Sequence, residues 1–130
     1  MAPAIEFLCD TSVLIDYLRG DEKVREILRA DRFGLMSMSS VTLMELVVGA
    51  FNKQEVRKIR NAFNEMRIIQ VNEEISARAV ELIVSFSKSH NLLIPDALIA
   101  ASALVLDLPL FTRNISDFRF LPEIKLVNES

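Results

Sequence analysis

The chain reads as an α/β protein, a three-layer α/β/α sandwich around a central, mainly parallel sheet of about five strands. Three observations carry this reading. Short apolar runs alternate with longer segments of helical period, the pattern of a parallel sheet covered by helices. The short runs are too brief and too apolar to be independent helices, and they suit strands buried on both faces. No repeat, low-complexity tract or linker interrupts the 130 residues, so a single domain is expected over 1–130.

In order, residues 5–9 form the first expected strand, followed by helices at 13–18 and 23–30, the second with Asp21 as N-cap. Residues 34–38 form the second strand, and Ser39 or Ser40 caps a helix over 41–64 that breaks near 49–53, where Gly49 lies. A third strand at 68–71 precedes a helix over 74–90. Pro95 suits a first helical position, opening a helix over 95–106. A strand at 109–111, a short turn after Asn114 and a weaker strand at 125–127 complete the order β-α-α-β-α-α-β-α-α-β-β.

Composition bounds the function. Hydrophobic residues make up 51% and charged residues 25%, with three Gly and four Pro, a compact and not a disordered composition. A chain of this length buries about two-thirds of its unfolded surface. Cys9, the one cysteine, sits in an apolar run and is expected to be an inert buried thiol, which fits a reducing, cytoplasmic setting. The start Met1-Ala2-Pro3-Ala4 lacks the features of a secretion signal, and no apolar run approaches the span of a bilayer, so no membrane role is expected. The net charge of −3 does not advertise nucleic-acid binding, but Lys53, Arg57, Lys58, Arg60 and Arg67 concentrate positive charge in one stretch. They serve either a polyanion or simply a solvated helix face.

Four acids stand where an element ends or a helix turns. Asp10 closes the first strand in Leu8-Cys9-Asp10-Thr11-Ser12 and so stands at the carboxyl edge of the sheet, where open α/β folds bind ligands. It is equally placed as a turn residue or a cap, and the Thr11 and Ser12 hydroxyls are placed to cap a helix beginning at Val13. Asp16 points around that helix as a surface or capping acid. Glu45 adjoins an apolar face marked by Val41, Met44 and Val48, where a carboxylate either snorkels at the edge or is paired or metal-bound. Asp96 opens a helix rich in small residues, and a first-turn acid there is also a dipole stabiliser worth about 0.3–1 kcal/mol. Thr112, Asn114 and Asp117 follow a buried run and can face the same crevice. If the fold gathers these acids, each like-charged pair about 4 Å apart costs roughly 4 kcal/mol at an effective dielectric near 20, and a cation is needed. Hard oxygen ligands select Mg²⁺ or Mn²⁺ over zinc.

Other sites lack their parts. There is no Gly-rich phosphate loop. An Asp-based phosphatase of the haloacid dehalogenase kind would carry a second Asp two positions after Asp10, where this chain has Ser12. His90, the one histidine, sits near a helix end and reads as a helix-terminal residue, not as a catalytic base.

Asp10-Thr11-Ser12 with Asp16, the Ser39-x-x-Thr42-x-x-Glu45 pattern, Pro95-Asp96-Ala97-Leu98-Ile99-Ala100 and Thr112-Arg113-Asn114-x-x-Asp117-Phe118 occur in an order that resembles PIN-domain proteins. Most closely they resemble the VapC-type toxins of toxin–antitoxin pairs, over nearly the whole chain. The resemblance implies that Asp10, Glu45 and Asp96 bind Mg²⁺ or Mn²⁺ directly or through water, with Thr11, Ser12 and Thr112 supporting them or facing substrate. Many relatives carry Asp where this chain has Asn114; Asp117 is expected to supply the fourth carboxylate and Asn114 to act as a neutral helper. The implied activity is hydrolysis of RNA phosphodiester bonds without a side-chain nucleophile. The implied partners are an RNA substrate, a small antitoxin wrapping apolar grooves beside the site, and a second copy in a homodimer. Leu14, Leu18, Ile27, Leu28, Leu46, Val47 and Phe51 exceed what one helix face needs; most of them suit the core, and the remainder agree with such grooves. The alternative is a catalytically silent PIN-fold module that binds RNA or protein.

Overall fold

The computed structural model describes residues 6–29 and 35–127; residues 5, 30 and 34 of the expected elements lie outside them. Four short strands, β1 (Phe7–Cys9), β2 (Met36–Ser39), β3 (Arg67–Ile69) and β4 (Leu110–Phe111), form one sheet in the order β3-β2-β1-β4. All pairings are parallel, with Leu8 opposite both Ser37 and Leu110.

Alternation along the strands builds two cores. Leu8, Ile69 and Leu110 point to one face and pack with Ile75, Ala79 and Leu82 of α5 (Glu73–His90) and Ala97 to Ala103 of α6 (Ile94–Val105). Phe7, Cys9, Met36, Met38 and Phe111 point to the other face. There they meet Val13 and Leu14 of α1 (Thr11–Leu18), Val24 and Leu28 of α2 (Glu22–Arg29), Leu46 of α3 (Ser40–Val48) and Ile59 of α4 (Lys53–Ala62). The result is the expected three-layer α/β/α sandwich.

The caps explain most boundaries. Asp21 accepts from the Val24 amide, Ser39 from Val41, Asn52 from Glu55 and Asn72 from Ile75. Gly49 and Asn52 thus divide the long apolar segment into α3 and α4, where the break was expected. Asn91 closes α5 in the left-handed region, φ 55°.

Three expectations change. The fifth strand shrinks to one parallel bridge, Leu110 with Leu126, made by the Leu110 amide donating to Lys125 O and the Val127 amide to Leu110 O. Pro122 and the left-handed Glu123 just before it leave little chain for a ladder. Helix α1 starts at Thr11, not Val13; Asp10 is its N-cap residue but makes no capping bond, and the Thr11 and Ser12 hydroxyls are turned to carboxylates instead. Along α3, Met44 and Val48 do not share the buried face of Val41: they are 58% and 85% exposed, and the buried positions are Val41, Thr42 and Leu46.

Candidate active site

Central strand β1 has β2 on one side and β4 on the other, so the chain reverses its lateral direction beside it and opens a crevice at the strands' carboxyl ends. Asp10 follows Cys9 directly into that crevice. It is 4% exposed, and its Oδ2 accepts hydrogen bonds from Ser12 Oγ (2.8 Å) and Thr112 Oγ1 (2.8 Å). Those hydroxyls are themselves fixed: the Arg113 amide donates to Ser12 Oγ and the Asn114 amide to Thr112 Oγ1. The neighbouring Cys9 thiol is pushed far above its ordinary range by burial and, secondarily, by the Asp10 charge, so it stays protonated and inert as expected.

Glu45, exposed on α3, is held by Thr11 Oγ1, which donates to Oε1 at 2.6 Å and lies 3.1 Å from Thr42 Oγ1. Asp96 is in the first turn of α6, half-buried. Its carboxyl is raised from 3.8 to about 6, first by burial and then by the charges of Asp10, Asp117 and Glu45. The fold therefore brings all four sequence-nominated acids into one electrostatic neighbourhood. Asp117, exposed at the end of a 3-10 turn (Ile115–Asp117), contributes a charge there; Asn114, which precedes that turn, contributes none and makes no side-chain cap.

The pairing pattern separates these acids from the rest. Glu6 pairs with Arg67, Asp107 with Lys125 and Glu123 with Arg78, while Asp16 and Asp21 both face Arg113. Among the described residues, no Lys or Arg pairs with Asp10, Glu45, Asp96 or Asp117. A buried carboxylate held only by hydroxyls and beside three further acids is costly without a positive charge. The donors are carboxylate and hydroxyl oxygens, the set that suits Mg²⁺ or Mn²⁺. Among the described residues, no three His, Cys, Asp or Glu side chains are gathered closely enough to hold an ion by themselves. Mg²⁺ sites commonly keep several waters and take one or two carboxylates together with substrate phosphates.

Sequence reasoning missed Arg113, whose guanidinium lies 3.3 Å from Asp16 and 3.6 Å from Asp21 and so clamps the segment after β4 onto α1 and the α1–α2 turn. Its place between Thr112 and Asn114 was the available signal. Of the basic stretch, Lys53, Arg57, Lys58 and Arg60 are exposed on α4, whereas Arg67 is engaged by Glu6 at 2.6 Å.

The chain belongs to the PIN-domain family, whose sequence model matches residues 7–121. Similar proteins within that family include VapC ribonucleases. Ribonuclease VapC10 of Mycobacterium tuberculosis is 33% identical over 120 residues, spanning 91% of this chain and 90% of the relative. Ribonuclease VapC1 of Methanocaldococcus jannaschii is 34% identical over 131 residues, spanning 93% and 85%. Among solved structures, a chain of a toxin–antitoxin complex from Klebsiella pneumoniae superposes with a TM-score of 0.76 at 33% identity, covering 92% of this chain and 95% of that one. A chain of the DNA-bound VapBC from Salmonella typhimurium shares the fold with a TM-score of 0.81 at 21% identity, covering 95% and 97%.

Proposed function

We propose that the protein is a Mg²⁺- or Mn²⁺-dependent endoribonuclease, the toxin component of a VapBC-type toxin–antitoxin pair. The observation that carries this is a set of four acids without a cationic partner, the charges of Asp10, Asp117 and Glu45 all bearing on Asp96, in a chain of the PIN family. Asp10 and Asp96 would hold the metal most directly, with Glu45 and Asp117 completing the set directly or through water. Ser12 and Thr112 fix the Asp10 carboxylate, Thr11 fixes Glu45, and Asn114 anchors Thr112 through its amide. The bound ion would supply an activated water and offset charge on the attacked phosphate and the leaving oxygen. One carboxylate of the set would then accept the proton of the attacking water.

Leu14, Leu28 and Leu46, named among the groove residues, are core residues instead. Leu18, Met44, Val48 and Phe51 are exposed apolar residues, Phe51 to 92%. They supply a surface for an antitoxin of the kind that accompanies the toxins in the related complexes. The reading includes a homodimer and a cytoplasmic setting; among the described residues, no helix is long and apolar enough to cross a membrane. Incubating the protein with total cellular RNA, alone and with its gene neighbour's product, tests the reading. Discrete cleavage that stops on adding the partner is expected. RNA bound but left intact would establish the silent binding module instead.

A further inference from the structure

We infer that the cleft between the end of α5 and the 3-10 turn is a nucleobase subsite, which holds one base of the RNA beside the scissile phosphate. This rests on the ribonuclease reading and adds a base-recognising set to it. The cleft has a volume of about 150 Å³; His90, Asn91, Leu92 and Leu93 line it, together with Ser116 and two of the acids, Asp96 and Asp117. Sites for whole small molecules are commonly about 300–1,000 Å³, so the space suits one ring system and not a complete nucleotide. Two carboxylates in its wall repel a phosphate but not an uncharged base.

The remaining lining matches a base in kind. A base offers a hydrogen-bonding edge and two apolar faces. Asn91 supplies an amide that both donates and accepts, and Ser116 supplies a hydroxyl; among the described residues neither side chain has a partner. Leu93 presents an apolar side chain, 57% exposed. The His90 ring is held in one orientation by three neighbours. It stacks on Phe120 at 4.3 Å and 14°, meets Phe86 edge-on at 5.7 Å, and its Nδ1 lies 2.8 Å from Ser89 Oγ. One ring face is thus occupied, yet the residue remains exposed, which is how an aromatic is presented for stacking. The rigid end of α5 sets the reach of this group, because the Asn91 backbone amide closes the helix by donating to Phe86 O.

The test uses eight-nucleotide single-stranded RNAs varied at the central base, with binding to Asp10→Asn protein read by fluorescence anisotropy and cleavage by active protein mapped by sequencing. The variants are Asn91→Gly, which keeps the left-handed backbone, Ser116→Ala, His90→Ala and His90→Phe. In Asn91→Gly and Ser116→Ala, the ratio between the best and worst central base is expected to fall about tenfold. His90→Ala is expected to weaken binding of all sequences about tenfold, and His90→Phe to restore it. RNA cleaved with an unchanged base preference in Asn91→Gly and Ser116→Ala would overturn the subsite and leave the nuclease reading standing. Base-selective binding that depends on Asn91, without cleavage by the wild type, would support the subsite and sink the nuclease reading; no RNA binding at all would overturn both.

Discussion

Asp96 carries the electrostatic consequence of the site most plainly. Its folded carboxyl titrates near 6 instead of 3.8, so the fold favours the protonated form. The stability this contributes is fully present below about pH 4 and is lost as pH rises through about 6. In EDTA, the melting temperature should therefore fall across that window, and Asp96→Asn should flatten the fall. At pH 7, Asp96→Asn should melt about 3–5 °C higher than wild type, corresponding to about 1 kcal/mol once solvent screening of a half-exposed group is allowed for. Scanning calorimetry from pH 4 to 7.5 checks it; a lower melting temperature for the Asn variant would show that Asp96 stabilises the metal-free fold. Thr112 makes a second prediction at this scale. Thr112→Val keeps the shape but removes both the donor to Asp10 and the acceptor for the Asn114 amide, and loss of such supporting contacts commonly costs about 10–100-fold in metal affinity or rate. RNA cleavage rates at subsaturating Mg²⁺ would show that loss, and an unchanged rate would mean that Asp10 does not need this bond.

Among the elements, α6 links packing to the site. Ala97, Ile99, Ala100, Ala101, Ser102 and Ala103 are all buried, and Ser102 satisfies its hydroxyl on Leu98 O at 2.8 Å, so small residues let α6 sit close to α5 and hold Asp96 against the crevice. Ala100→Leu should overpack this seam, costing about 1–3 kcal/mol in urea denaturation and lowering cleavage through a displaced Asp96. Unchanged stability would mean that the seam has room. The small-residue run made this helix legible in the sequence, and the Asp21, Ser39 and Pro95 signals placed element boundaries within a residue or two. The apolar pattern of α3 misled, because Met44 and Val48 are exposed despite their helical spacing from Val41: an apolar stripe looks the same in sequence whether it faces the core or a partner. At the start of α1, Thr11 serves Glu45 across 34 residues, a bond that no local pattern encodes, and Ser12 turns back two residues to Asp10 instead of capping.

For the whole molecule, the parallel order β3-β2-β1-β4 is what turns scattered acids into a set: Asp10 and Thr112 are 102 residues apart and are joined at the ends of adjacent strands. The motif order already nominated the four acids, but not the clamp of Arg113 on Asp16 and Asp21 or the cleft between His90 and Ser116, since both depend on which loops the sheet places side by side. The proposed requirement of RNA cutting for a divalent ion held by these acids can be measured. Its most direct test is the cleavage rate of a defined RNA as Mg²⁺ is titrated from zero, for wild type and Asp10→Asn. No cleavage is expected in EDTA, with a saturating rise with Mg²⁺ in the wild type and a rate for Asp10→Asn reduced by more than about 100-fold, beyond what loss of an outer hydrogen bond costs. Full-rate cleavage in EDTA, or by Asp10→Asn, would contradict it.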